Sequence, residues 1–183
     1  MTQGRRMTTV QGGRRALIAR VAFGAAAALL LGAATAAPVR VAVFDFRLDD
    51  TSLQGQMDGV QPAEQARLDR LRPQLSDLLA KSGRYQPVDI TPVEAKARAT
   101  NLLECGGCGE DYAKRVGAQV AAIGWVQKVS NLILNINVQM VDVATGRVIG
   151  GGSVDIRGDT DESWSRGLAY LAKYQILQPR TAQ

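Results

Sequence analysis

The sequence predicts one mixed α/β domain, α+β in arrangement, behind a short leader, and three observations carry that expectation. Residues 39–46 (VRVAVFDF) are dense in β-branched and aromatic side chains, the composition of a mostly buried strand. Leu68, Leu71, Leu75, Leu78 and Leu79 recur at helical spacing within residues 62–82, which makes one apolar stripe. From Gln119 onward, three strand-like segments follow one another around tight turns. Together they give the order β-α-β-α-α-β-β-β-α: a mixed sheet of about five strands, an antiparallel carboxyl-terminal meander, and helices packed on the sheet.

Residues 1–36 read as an address. Arg5, Arg6, Arg14, Arg15 and Arg20 precede the apolar run VAFGAAAALLLGA, and Ala34-Thr35-Ala36 offers small residues for cleavage. Basic start, short apolar middle and small-residue exit are the parts of a secretory signal peptide. The run is shorter than the ~20 apolar residues that span a bilayer. The expectation is cleavage near Ala36, no stable membrane anchor afterwards, and a periplasmic domain over residues 37–183. No cysteine follows the run closely, so a lipidated mature amino terminus is not expected. The Arg14-Arg15 pair leaves general and twin-arginine export both open.

The elements of residues 37–183 follow in order. After the first strand, residues 47–61 (RLDDTSLQGQMDGVQ) show no period, and a long functional loop is expected. A helix over 62–82 follows; Pro73 inside it should kink or divide it, and Gly83 supplies the stop. Residues 85–90 form a short strand. Thr91-Pro92-Val93-Glu94 reads as a helix start, with Thr91 as cap and Glu94 closing a capping box, and that helix runs to about Asn101. After CGGCG, a short helix over 110–116 ends at Gly117. Strands are expected over 119–129, 132–143 and 148–156. In the second, Leu132, Leu134, Ile136, Val138 and Met140 face one way, while Ile133, Asn135, Asn137 and Gln139 face water. Gly150-Gly151-Gly152 signals a bulge. Asp159 is expected to cap a last helix that runs to about Tyr174, with Trp164, Leu168 and Leu171 inward. Residues 175–183 read as a tail.

Composition narrows the chemistry. The chain has 22 Lys and Arg against 17 Asp and Glu, a formal charge of +5. Five of the basic residues lie in the leader with no acid among them, so residues 37–183 balance at 17 against 17. A nucleic-acid or anionic-lipid partner therefore has little electrostatic support. There is no histidine. That removes a serine–histidine–aspartate triad, a histidine general base, histidine-ligated haem and a Cys₂His₂ zinc site. No phosphate-binding glycine loop occurs. No catalytic residue, metal site or cofactor is expected.

Cys105-Gly106-Gly107-Cys108 is the one constellation with reactive chemistry. A structural disulfide, suited to an oxidising compartment, would contribute about 2 kcal/mol from so short a loop. A redox dithiol at a helix amino terminus is the alternative, though Glu104, Glu110 and Asp111 around the pair oppose a thiolate. Two thiolates alone are half a zinc site. The remaining candidates are polar and suit an interaction surface. They are Asp45 at the carboxyl end of the first strand, where ligands of open α/β sheets bind; Asp49 and Asp50 in the long loop; and Asn131, Asn135 and Asn137 along the wet strand face. Arg157, Asp159, Asp161 and Glu162 form the turn before the last helix. Trp125 and Trp164 are expected in the core.

At VAVFDF, NLLECGGCGEDYAKRVGAQ, GWVQKVSNLILNINVQMVD and VDIRGDTDESWSRG, the chain resembles an uncharacterised family of small exported bacterial proteins, a domain of unknown function. Through VAVFDF, LLAKSGRYQPVDI and GAQVAAIGWV it is more distantly similar to another group. That group comprises the amino-terminal domain of TolB, the curli secretion lipoprotein and outer-membrane activators of peptidoglycan synthases. The resemblance implies a mixed sheet with packed helices that acts by binding other envelope proteins. The expected function is thus a non-enzymatic periplasmic binding or assembly-accessory protein of the bacterial envelope. A thiol-disulfide protein using Cys105 and Cys108, and a small-ligand-binding domain with a pocket near Asp45, are the alternatives.

Overall fold

The computed structural model describes residues 37–178; the expected leader lies outside the described residues. Its sheet is organised by one long strand. β4 (Val120–Ser130) pairs along one side with β5 (Ile133–Asp142), antiparallel, and β5 pairs with β6 (Val148–Arg157), also antiparallel. Along its other side β4 takes two short strands in tandem, both parallel. β1 (Val39–Val43) pairs with Val120–Ala122, and β2 (Arg47–Asp50) pairs with Trp125–Lys128. β3 (Tyr85–Pro87) adds parallel to the far side of β1. The order is β3-β1-β4-β5-β6, with β2 in line with β1.

β2 and the short helix α1 (Leu53–Asp58) replace the loop expected over 47–61. Arg47–Asp50 has no apolar alternation, because it is recruited through its backbone by a strand about 78 residues away. Ser52 then caps α1, its hydroxyl accepting from the Gly55 N–H at 3.0 Å.

Two core layers follow from the pleat, which sends alternate side chains to opposite faces. On one face Val41, Val43, Val120, Ala122, Val126, Leu134, Ile136, Val138 and Met140 meet the leucine stripe of α2 (Pro62–Lys81). Trp164, Leu168 and Leu171 of α5 (Asp161–Leu171) pack there too. On the other face Ala42, Phe44, Ala121 and Ile123 meet α3 (Thr91–Ala99) and α4 (Cys108–Arg115). These two helices cover only the β3-β1 side and the first half of β4.

Several local expectations are corrected. α2 runs unbroken through Pro73; Pro73 and Asp69 are both exposed, so water can serve the Asp69 carbonyl that lacks its helical donor. Thr91 does not cap α3. Asp89 accepts from the Thr91 N–H at 3.0 Å and its hydroxyl at 2.6 Å, and Ile90 holds the cap position. The second parallel strand accordingly stops at Pro87. α4 begins at Cys108, two residues before the expected start. Thr160, in a capping box with Ser163, opens α5, which releases the Asp159 side chain for other work. The chain past Leu171 is a π-helical turn, Ala172–Ile176, so the expected tail does not begin at residue 175.

Leu132 sits in the β4–β5 turn and is 71% exposed, while Leu134, Ile136, Val138 and Met140 are buried as expected. Asn137, expected to be wet, is 7% exposed. Trp125 is half-buried rather than core. The glycine run does mark an irregularity: the β5–β6 register shifts between Met140 and Val141, beside Gly150. Among the described residues no helix is long and apolar enough to cross a membrane.

Candidate functional site

The carboxyl end of β1 carries Asp45 into a closed ring of charges. Arg72 of α2 bonds Asp45 at 3.0 Å, and Arg98 of α3 bonds its second oxygen at 2.6 Å. Both guanidinium groups share one Glu94 oxygen, at 3.0 and 3.2 Å. Asp45 is therefore a strap joining β1, α2 and α3. Beside it opens a cleft of about 340 Å³ walled by Phe44, Phe46, Leu68, Ala97, Leu102 and Leu103. Gly124 lies in the wall, and a Cβ there would stand 2.4 Å from the Phe46 ring, so glycine is what lets the ring pass across β4.

A second charged cluster is buried, and sequence reasoning missed its centre. Lys128 is 0% exposed and Glu64 2%. Lys128 Nζ donates a short hydrogen bond to Glu64 and another to Gln54 of α1 at 3.0 Å, and it lies 3.5 Å from Asp50. The other Glu64 oxygen accepts from the Gln61 N–H at 3.1 Å. Asp159 stands alongside, accepting from Arg67 and from the Trp164 indole, both at 2.9 Å. Burial pushes the Glu64 carboxyl up, but the hydrogen bonds from Lys128 and the Gln61 backbone outweigh it and hold it below its ordinary value. Burial likewise opposes the Lys128 charge, yet Glu64 and Asp50 hold that ammonium above its usual range. Asp159 moves the other way, raised by burial and by the neighbouring Glu64 despite Arg67. Asp50 ends below its ordinary value: burial raises it, and the Ser52 bonds and Lys128 overcome that.

Both missed residues left a signal. Lys128 shares the pleat parity of Val120, Ala122 and Val126, all on the α2 face. Glu64 extends the stripe Leu68, Leu71, Leu75 and Leu79 by one turn. A charge on each inward pattern is what a buried pair looks like in sequence.

Cys105 and Cys108 lie at disulfide distance, with Cα atoms 5.8 Å apart. Gly107 takes φ 111° just before Cys108 opens α4. The Cys108 N–H donates to Cys105 Sγ at 3.3 Å, while Glu110 and Asp111 fill the first turn. The connection that carries Leu102 and Leu103 into the cleft leads directly into this pair.

The other candidates do not form one surface. Asp161 bonds Arg67 and Arg70 at 2.9 Å each, outside the buried cluster. Asn131 lines a shallow opening above Glu64 and Asp159. Asp49, Asn135 and Asn137 meet on the uncovered half of the second sheet face. Arg157 and Glu162 line a groove of about 570 Å³ between the outer edge of β6 and α5, with Arg166 and Tyr170 on its helical wall.

The β6 edge is closed at its centre and open beyond it. Gln175 accepts from the Ser153 N–H at 2.9 Å and donates to the Ser153 carbonyl at 2.8 Å, as a neighbouring strand would. Gly152 makes the approach possible, since a Cβ there would stand 1.9 Å from the Gln175 oxygen. By the two-residue alternation of an antiparallel ladder, the Asp155 and Arg157 backbones face outward as Ser153 does, into the groove.

Comparison with solved structures gives distant likeness. The LpoB C-terminal domain from Salmonella enterica is 18% identical, over 68% of this chain and 87% of that one, with a TM-score of 0.48. Lipoprotein GNA1162 from Neisseria meningitidis is 16% identical over 68% and 84%, with a TM-score of 0.46. TolB from Acinetobacter baumannii is 13% identical over 75% of this chain and 28% of its own, with a TM-score of 0.41. No curated protein matches the chain. The profile of one family, DUF3280, described as "Protein of unknown function (DUF2380)", matches residues 39–176, and the chain belongs to that family.

Proposed function

We propose that residues 1–36 deliver the chain to the periplasm, and that residues 37–183 act there as a non-enzymatic binding or assembly-accessory domain of the bacterial envelope. Its partner is another envelope protein. The groove between β6 and α5 carries this reading. It offers the outward backbone groups of Asp155 and Arg157 beside a helical wall bearing Arg166 and Tyr170. An extended segment of a partner would add to the edge by main-chain hydrogen bonds and take its specificity from that wall. Gln175 sets where pairing stops, which confines the added strand to the Asp155–Arg157 end of β6.

The test uses the full chain in its own cells, with a photo-crosslinking residue at Tyr170 and a control at Lys114 on α4. The expected result is a discrete adduct from Tyr170 only, identified by mass spectrometry. Asp155→Pro removes the outward donor and should abolish it; Asp155→Ala should leave it. Equal yields from both positions, or an adduct indifferent to Asp155→Pro, would overturn the proposal.

A second reading has its own observation, the cleft beside Asp45. At the carboxyl end of a parallel strand it suits a small ligand with an apolar body and a charged end. Ligand-dependent protection of Leu102 and Leu103 amides from hydrogen exchange would favour it.

A further inference from the structure

The second sheet face is covered by helices only as far as Ile123 and Val141. Beyond them the strands continue bare, and their registers align side chains into two complete rows. One row runs Arg47, Trp125, Asn137, Ser153 across β2, β4, β5 and β6. The next runs Asp49, Gln127, Asn135, Asp155. With strands about 4.8 Å apart, each row spans roughly 14 Å. A trough of about 380 Å³ follows the second row and takes in Asn137 and Ser153 of the first, with Val129 and Ile133 also in its lining; Trp125 stands next to it in the first row.

The chemistry of this platform is unusual for an exposed sheet. It is held in place: Asn135 donates to Asp155 at 2.7 Å and accepts from the Ser153 hydroxyl at 2.9 Å. Asn137, nearly buried, turns its amide toward the Asn135 carbonyl. Beside this fixed set, Gln127, Asp49 and the Trp125 indole make no side-chain hydrogen bond among the described residues. The rows thus present pre-set amides, carboxylates and a hydroxyl around one half-buried aromatic ring. Arg47 and Arg157 on this face are matched by Asp49 and Asp155, so a polyanion finds no net positive charge. An apolar helix finds only Val129 and Ile133 at one end, and the two rows themselves are polar apart from Trp125. A chain of hydroxyl groups, each both donor and acceptor, can pair with amide and carboxylate alike. The ring offers an apolar face with a polar N–H for the alternating faces of a sugar.

We propose that this platform binds a neutral, hydroxyl-rich glycan strand, laid across the four strands with one sugar over Trp125. Gln127, Asn135 and Asp155 take its hydroxyl groups. Pre-organisation by the Asn135–Asp155–Ser153 bonds lowers the ordering cost of binding. The site shares Asp155 with the β6 groove, but its central residues, Trp125 and Gln127, lie on β4.

The test titrates residues 37–183 with two soluble probes, an N-acetylglucosamine hexamer and a glucose hexamer, and follows tryptophan emission. Trp164 is 1% exposed on the opposite face, so a saturable change reports Trp125. The expected result is saturation with at least one hexamer; which of the two binds more tightly separates amino-sugar chains from plain glucans. Gln127→Ala breaks no side-chain hydrogen bond among the described residues and should weaken binding at least tenfold without lowering the melting temperature. Asn135→Ala should do the same, with any stability loss read separately by urea unfolding. No saturable change at millimolar hexamer in folded protein would overturn the proposal. So would binding that both variants leave intact, or an equal response to an uncharged peptide of similar length. Because Gln127→Ala leaves the β6 edge untouched, failure here does not affect the crosslinking result.

Discussion

Replacing Lys128 by methionine tests the buried cluster most directly. Methionine keeps most of the unbranched stem, so packing changes little and the loss reports charge. The substitution leaves Glu64 and Asp50 facing each other without their shared cation. Asp50 Oδ2 already lacks a hydrogen-bond partner, and its nearest compensation is Lys128 at 3.5 Å. An exposed pair is worth about 0–1 kcal/mol, whereas removing one partner of a buried pair costs about 3–5 kcal/mol. With Lys128 and Glu64 both nearly inaccessible, the second figure applies. The melting temperature should fall by roughly 10 °C for a domain of this size. The assay is urea unfolding followed by circular dichroism, with an unchanged slope required so that only stability has moved. The double variant Lys128→Met/Glu64→Gln removes both charges and keeps an acceptor for the Gln61 N–H. It should recover at least half of the loss, a coupling measured by the double-mutant cycle. A single-variant cost below about 1 kcal/mol, or a double variant no better than the single, would refute the argument.

Four further outcomes are expected. Glu64 is held below its ordinary value when folded, so its stabilisation is present above about pH 4.5 and is lost as pH falls through the depressed folded value. Glu64→Gln should therefore cost stability at pH 7, and the cost should shrink as the pH is lowered below about 4.5 in paired urea titrations. Asp159 is raised, so its contribution declines as pH rises above about 3.8, and Asp159→Asn should show the opposite slope. Gly124→Ala should cost about 1–3 kcal/mol by forcing the buried Phe46 ring aside. Cys105→Ser/Cys108→Ser should cost about 2 kcal/mol if the pair is a structural disulfide; a reduction potential above about −300 mV would favour the redox alternative instead.

Much of the architecture was readable because it is written in periodic apolar residues. The α2 leucines, the alternation of Leu134, Ile136, Val138 and Met140, and the inward Trp164, Leu168 and Leu171 all lie as expected. β2 was not readable, because Arg47–Asp50 joins the sheet by backbone bonds to a distant strand and leaves no apolar pattern. The helix starts were misplaced by one or two residues where neighbours compete for the cap: Asp89 displaced Thr91, and Thr160 displaced Asp159. The site was legible only in pieces. Asp45, Asp50 and Asp159 read in the sequence as surface, but each is tied down by a cation from another element. Those partners, Arg72, Lys128 and Arg67, lie 27 to 92 residues away, and of the three only Lys128, a charge on an inward pleat position, marks itself in the sequence. Asn135 and Asp49 do share one face, since strand register carries them into one row with Gln127 of β4 between them.

The tandem arrangement of β1 and β2 along β4 has a kinetic consequence. β2 and its buried Asp50 can find no strand partner until Trp125–Lys128 exists, about 78 residues later in synthesis. The hairpins linking β4, β5 and β6 close over short loops and need nothing upstream. Folding should therefore begin in the carboxyl-terminal meander and finish with the amino-terminal quarter docking onto it. A chain interrupted before residue 120 would hold its leucine-striped helix and the β4-facing edge of valine-rich β1 with nowhere to put them.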